Sequence, residues 1–172
     1  MNLLMTDKSI DIKLGDPEND RYVDLSSFSI RNCVGCFGCW TKTPGRCVIR
    51  DDAVKVYPLI AASKRVIYVS RIKYGSYDTV TKTMLERAIP IQKAFIRLVD
   101  GETHHVQRAV EPKSAVIIAY GTDSEEEKQI FRTLISRNAK NMMFQNYEIR
   151  FVTEADLEKT VQDEVSKWKK SL

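Results

Sequence analysis

No apolar run in the 172-residue sequence approaches the roughly 20 residues that a membrane-spanning helix needs. The opening residues hold Asp7, Lys8, Asp11 and Lys13 where a secretory signal would need an apolar centre. Both absences make a cytoplasmic protein with no membrane partner the expectation. Internal repeats and low-complexity tracts are missing, so nothing points to a solenoid or a disordered linker. Charge of one sign is also scarce. The 27 Lys and Arg residues face 23 Asp and Glu, a balance of +4, and the two signs are interspersed over most of the length. That pattern argues against a nucleic-acid partner. Histidine occurs only as the neighbours His104 and His105, whose side chains on an irregular segment would point in different directions, so a histidine metal centre is not expected.

Cysteine is scarce but concentrated. All four lie in the run Cys33-Val-Gly-Cys36-Phe-Gly-Cys39-Trp-Thr-Lys-Thr-Pro-Gly-Arg-Cys47 and can meet at one site. Thiolates at two-residue spacings converge on a soft metal centre, either tetrahedral zinc or an iron-sulfur cluster, and the interleaved glycines permit tight turns. A redox-active pair and plain reduced thiols beside a buried turn are the other readings. In a reducing compartment four clustered cysteines read as metal-binding or redox-active before structural disulfides. Phe37 and Trp40 flank the third cysteine, where they shield a cluster, form an intersubunit contact or simply pack.

With 43% hydrophobic residues, the length suits a single domain spanning residues 1–172 around one core. The runs Arg65–Ser70 and Ser114–Tyr120 are nearly continuous in β-branched and aliphatic residues, as strands covered on both faces are. Tyr147–Val152 is a third strand, with Asn2–Met5 and Arg21–Leu25 as shorter ones. Helical spacing links Val80, Met84, Ala88 and Ile91, then Ile130, Phe131, Leu134 and Ile135, then Leu157, Val161, Val165 and Trp168. Ser124 with Glu127, and Thr153 with Asp156, mark helix starts. The alternation predicts an α/β three-layer sandwich with right-handed crossovers. The stretch from Leu98 to Pro112 lacks periodicity and reads as a surface excursion. Ligands of doubly wound sheets bind beyond the carboxyl ends of the strands, which points to residues 70–77 and 120–123.

The cysteine loop closed by Gly45-Arg46-Cys47, the following Asp51-Asp52 pair, the strand ending in Tyr74-Gly75-Ser76, Gly101-Glu102-Thr103-His104-His105 and Tyr120-Gly121 together resemble the flavodoxin-fold NAD(P)H-dependent FMN reductases, in particular their iron-sulfur flavoprotein branch. The resemblance covers roughly residues 20–150. It implies a flavodoxin-like fold with a five-stranded parallel sheet in the order 2-1-3-4-5, and an FMN-dependent oxidoreductase. Electrons then pass from NAD(P)H through the flavin to a small acceptor or to a cysteine-ligated centre. It also implies a homo-oligomer, dimer or tetramer.

By the same resemblance FMN lies against Ser70, Arg71, Ile72, Lys73, Tyr74, Gly75 and Ser76 and against Tyr120, Gly121 and Thr122. Tyr74 or Tyr77 would stack on the ring, and Lys73 or Arg71 would offset the charge of the reduced flavin. No side chain is assigned as a catalytic acid or base, because the cofactor carries the chemistry. Cys33, Cys36, Cys39 and Cys47 match the spacing of a [4Fe-4S] ligand set and suit zinc equally. One departure stands out. Family members have a phosphate-binding loop and a helix after the first strand, whereas here too few residues separate Met5 from Arg21 for a helix, and Asp7 would repel a phosphate dianion. The opposing reading is a non-catalytic flavodoxin-like subunit whose cysteine loop is a structural or interaction element.

Overall fold

The computed structural model describes residues 1–171. In chain order its elements are β1 (Asn2–Thr6), β2 (Asp20–Asp24), the single turn α1 (Gly38–Thr41), α2 (Ala53–Ala62), β3 (Arg65–Lys73), β4 (Ser76–Tyr77), α3 (Thr79–Glu86), β5 (Gln92–Val99), β6 (Glu102–Gln107), β7 (Lys113–Tyr120), α4 (Glu125–Asn141), β8 (Phe144–Val152) and α5 (Leu157–Ser166). The strands β2-β1-β3-β7-β8 form a parallel sheet in that order, the predicted 2-1-3-4-5 arrangement of a flavodoxin-like fold. Because every parallel connection runs the same way, the carboxyl ends of these strands share one edge, and that edge positions the candidate site.

The two central strands are where the apolar runs place them. Val66, Ile67, Tyr68 and Val69 in β3 and Ile117, Ile118 and Ala119 in β7 are all buried. Their side chains alternate between two cores. One face packs α2, α3 and α4 through Val56, Ile60, Met84, Phe131 and Ile135. The other packs α5 through Leu157, Val161 and Val165, and Trp168 from the 3-10 turn that follows α5, not from the helix itself as its spacing suggested. The extended chain between β1 and β2 lies beside α5 in place of a helix. Ile10 is buried there, and Lys13 exchanges two hydrogen bonds with the Gln162 side chain at 3.0 and 3.2 Å. The abbreviated first β-α unit expected from the sequence is therefore a strap held on the α5 face. Among the described residues, no helix is long and apolar enough to cross a membrane.

Several expectations are corrected. The sheet gains a sixth strand, since β4 folds back antiparallel on β3, pairing Ile72 with Tyr77 and Lys73 with Ser76. The stretch read as irregular between Leu98 and Pro112 contains β6, which pairs with β5 in a separate two-stranded sheet. His104 and His105 do point apart, as alternate residues of a strand must. The first lies between Asn141 and Glu102, the second bonds the Lys93 carbonyl. Ala88 and Ile91 are buried but follow the end of α3, and Ile130 is half exposed. Ser124 caps α4 as predicted, its hydroxyl accepting from the Glu127 amide at 3.3 Å. Helix α5 begins later than predicted. Asp156 holds its N-cap, and the Thr153 hydroxyl accepts from the Asp156 amide in the preceding turn.

Lys113 is almost wholly buried and donates to the Glu111 carbonyl at 2.5 Å. Burial pulls its ammonium down to about 8. A lysine depressed in the folded state costs stability wherever it is charged in both states, and the cost fades as pH rises from about 8 toward the ordinary lysine value. Lys113→Met is therefore expected to stabilise the protein at pH 7 by about 1–3 kcal/mol. The gain should shrink toward pH 10, which denaturant titrations at the two pH values will measure; a gain that does not change with pH would refute this account.

Candidate functional site

At the shared carboxyl edge, the two loops singled out from sequence meet. The Arg71 guanidinium lies 5.0 Å from the centre of the Tyr120 ring. Gly121, at φ +86°, passes so close that a Cβ there would lie 2.8 Å from Arg71 Cγ. What they enclose is a polar network built on the end of β1. The Asp7 carboxylate, nearly buried, accepts the Arg71 backbone N–H at 2.6 Å and the Tyr120 hydroxyl at 3.1 and 3.2 Å. Lys8 and Arg71 both reach Glu154, at 2.8 and 2.9 Å, and close the network on its solvent side. Burial pushes the Asp7 carboxyl up, against the hydrogen bonds from Arg71 and Tyr120 that pull it down. Burial also raises the Tyr120 hydroxyl, with the neighbouring Asp7 charge adding to it.

This geometry sorts the predicted flavin contacts. Ser70 and Ile72 are buried within β3, which continues past the expected strand end. The Ser70 hydroxyl accepts the Asp78 N–H at 3.2 Å, and Ile72 belongs to the core. Neither side chain opens to the surface. Tyr77 is likewise buried, edge-on to Phe131 at 5.1 Å, and only its margin reaches the cavity described next. Tyr120 is taken by Asp7, and Thr122 donates to Glu127 while accepting the Ser124 amide. Arg71 is committed to Glu154.

Lys73, Tyr74, Gly75 and Ser76 are different, because the hairpin carries them out of the core. Tyr74 is 85% exposed. Lys73, Tyr74 and Ser76 line an open cavity of about 780 Å³ together with Thr79, Lys82 and Thr83 of α3 and with Asn32 and Cys33 from the start of the cysteine loop. That volume lies within the usual range of small-molecule sites. Tyr77 and Glu86 also line it, and Glu86 pairs with Lys82 at 3.8 Å, so Lys73 is the cation at its rim without a carboxylate beside it among the lining residues.

The cysteine loop is tied to the scaffold at its neck. Asp52 accepts the Ser29 N–H at 2.9 Å, and Asp51 accepts the Arg31 N–H at 2.9 Å. Arg87, buried to 1% exposure at the end of α3, then locks the closure. It grips Asp51 with both terminal nitrogens at 2.7 and 2.9 Å and donates to the Arg31 carbonyl at 2.6 Å and to Cys47 Sγ at 3.4 Å. Burial opposes ionisation of Asp51, but the Arg87 hydrogen bonds and charge together with the Arg31 and Ala53 amides outweigh it and hold the carboxyl below its usual range. The far side of the loop leans on the β5–β6 hairpin. The Trp40 ring lies 5.4 Å from Phe37 and 4.8 Å from His105, and its indole N–H donates to the Gln92 carbonyl at 3.0 Å. Trp40 therefore packs against its own chain, whereas Phe37 stacks on it and stays mostly exposed.

Cys33 and Cys36 are exposed, Cys39 and Cys47 half-buried. Burial pushes the Cys39 thiol up, and the neighbouring Cys47, Cys33 and Cys36 add to the rise. As a donor set they suit a soft metal. Yet among the described residues no three His, Cys, Asp or Glu side chains are arranged to hold a metal ion. The loop gathers its cysteines on one excursion without closing them into a coordination shell.

Sequence reasoning missed Glu154 and Arg87, and it read Asp7 only as a charge that repels phosphate. No local pattern marks Arg87, whose partner Asp51 is separated by 36 positions. Asp51 itself stood out as half of the Asp-Asp pair.

No protein-family model matches the chain. A stretch of 87 residues is 34% identical to an iron-sulfur flavoprotein of Archaeoglobus fulgidus, a match spanning 48% of this chain and 39% of that protein. The chain thus covers less than half the length of the curated relative it matches. Among solved structures, an FMN-dependent NADH-azoreductase from Bacillus anthracis in complex with FMN superposes with a TM-score of 0.58 at 8% identity, over 96% of this chain and 95% of the other. An NADPH-quinone reductase from P. pentosaceus gives 0.54 at 11% identity, over 99% and 98%. At such identities the superpositions establish the fold.

Proposed function

Because the chain has the flavodoxin-like fold of these NAD(P)H reductases and resembles an iron-sulfur flavoprotein, we propose that it is an FMN-dependent oxidoreductase of the NAD(P)H-dependent FMN reductase type. A bound flavin would carry electrons from a nicotinamide to a small acceptor; Cys33, Cys36, Cys39 and Cys47, which are not arranged as a coordination shell here, are given no step. The observation that carries this reading is the open cavity beside the Tyr74-Gly75 turn, at the edge where the fold places ligands. Its size and rim suit an isoalloxazine ring: Tyr74 is exposed and able to stack, and Lys73 supplies positive charge where a reduced flavin gains electrons, while Lys82 is offset by Glu86. The ribityl phosphate fits less well. The position after β1, where a helix N-terminus would offer N–H groups, holds no helix and is filled by the Asp7 carboxylate. No step of the reaction is therefore routed through a phosphate held there. When bound, the flavin supplies hydride and single-electron chemistry; the protein supplies the slot and its charge.

The exposed Phe95, Ile96 and Leu98 of β5 offer an apolar surface for the homo-oligomer that this reading includes. The filled phosphate position favours a second reading, a non-catalytic flavodoxin-like subunit whose cysteine loop is a structural or interaction element. One experiment divides the two. The protein is purified without oxygen, and its absorption spectrum is taken before and after incubation with FMN and desalting. Retained flavin bands, bleached by NADH or NADPH, are expected, and a broad shoulder at longer wavelength would accompany them if the cysteines hold an iron-sulfur cluster. A spectrum free of flavin in both samples would overturn the enzyme reading and leave the scaffold.

A further inference from the structure

The end of β1 has the composition of an anion site, and the anion in it is the chain's own. The Asp7 amide donates to the Val69 carbonyl at 3.2 Å, extending the pairing of β1 with β3 and turning the Asp7 side chain inward. Its carboxylate receives the Arg71 main-chain N–H from β3 and the Tyr120 hydroxyl from β7. Lys8 and the Arg71 guanidinium stand over the Tyr120 ring at 5.7 and 5.0 Å, and Glu154 pairs with both. Asp78 adds negative charge from beyond β4.

Stability does not explain an acid here. Burial disfavours its ionised form, and an isosteric asparagine would keep an acceptor for the Arg71 N–H and a donor for the Tyr120 oxygen. What a carboxylate meets here, and an amide would meet only by donating to the tyrosine, is a pair of convergent donors, with two cations paired to Glu154 above them. That is the recognition chemistry of an oxyanion, placed where doubly wound sheets bind the charged end of their ligands.

We propose that the carboxyl end of β1 is a self-occupied anion site, in which the Asp7 carboxylate stands in the place of a ligand's phosphate. The chain then reads a flavin through its ring alone. Reading the flavin by its ring rests on the flavin assignment of the hairpin cavity; self-occupation of the anion site does not.

Asp7→Gly deletes a fragment the size of acetate and leaves the Arg71 N–H and the Tyr120 hydroxyl without their acceptor. The thermal midpoint of this variant is expected to rise with added acetate and inorganic phosphate, by several degrees at about 100 times the dissociation constant. Isothermal titration should show one bound anion per chain. Wild type and Asp7→Asn should show neither response beyond a chloride control at equal ionic strength. A glycine variant whose response matches wild type would overturn the proposal. Should Asp7→Gly fail to fold, Asp7→Ala titrated with formate, the fragment it deletes, decides the same question.

The flavin half of the test compares FMN with riboflavin. Wild type is expected to bind them within about threefold of each other, and Asp7→Gly to favour FMN by at least about tenfold. A wild type that prefers FMN tenfold or more would overturn recognition by the ring alone. If wild type binds neither flavin, the proposed function falls with it, while the anion titration still decides whether the site is self-occupied.

Discussion

Replacing Arg87 by alanine is expected to lower stability by about 3–5 kcal/mol, because it leaves one member of a buried ion pair without its partner. The loss is large because Arg87 serves several acceptors from one buried position: Asp51 twice, the Arg31 carbonyl and Cys47 Sγ. Asp51 keeps the Arg31 and Ala53 amides, but these cannot neutralise it. For a chain of this length the thermal midpoint should fall by on the order of 10 °C.

The location of the damage is also specified. The segment between Ser29 and Asp52 is closed at its neck by Asp51, Asp52 and Arg87, so its amides should lose hydrogen-exchange protection before those of β3 and β7. Replacing both partners, as Arg87→Met with Asp51→Leu, removes the stranded charge and should recover most of the stability, although the carbonyls that Arg87 bonds then need water. If Arg87→Ala melts within about a degree of wild type, the ion pair is not what closes the neck.

Gly75→Val is expected to destabilise by about 2–4 kcal/mol and to weaken flavin binding by at least about tenfold. Tyr74 and Gly75 both have positive φ, +53° and +70°, as a two-residue turn between twisted antiparallel strands requires. A β-branched residue in that conformation costs about 1–2 kcal/mol. Space is a second obstacle, since a Cβ at Gly75 would lie 2.6 Å from Ile130 Cγ2 and 2.8 Å from Ile130 Cβ on α4. Either the hairpin opens or α4 shifts, and an opened hairpin moves Lys73 and Tyr74 away from the cavity they line.

The two causes can be separated. Adding Ile130→Ala removes the collision and leaves the backbone cost, so the double variant should recover about half of the lost stability. Thermal melts with flavin titrations of the three variants give the comparison. Unchanged flavin affinity in a destabilised Gly75→Val would show that the ring binds elsewhere.

How much of this was legible depends on the distance over which each feature is specified. The runs around Ile67 and Ile117 announce central strands, because a strand covered on both faces has no polar side to reveal a period. Ser124 announces α4, because a cap is a contact between residues three apart. The missing first helix is legible as a simple shortage of residues. The β5–β6 hairpin carried one local sign, Asp100-Gly101, whose positive φ values of +50° and +78° make its turn. Its strands hid the rest. Phe95 and Ile96 are adjacent and both exposed, where a register shift between Gln92 and Ile96 breaks the alternation that periodicity relies on.

By itself, then, the sequence determined the parallel sheet, its order by resemblance, the cysteine-rich excursion and the two loops at the carboxyl edge. These follow from burial patterns and short-range geometry that neighbouring residues encode. Only the tertiary structure decided what those loops do. Tyr120 reaches Asp7 across 113 positions and closes the end of β1, Arg87 reaches Asp51 and closes the cysteine loop, and the β3–β4 turn lifts Tyr74 into the open. A carboxylate in a sequence carries no mark of whether it will repel a ligand's charge or occupy its place; that depends on which N–H and hydroxyl groups the fold aims at it.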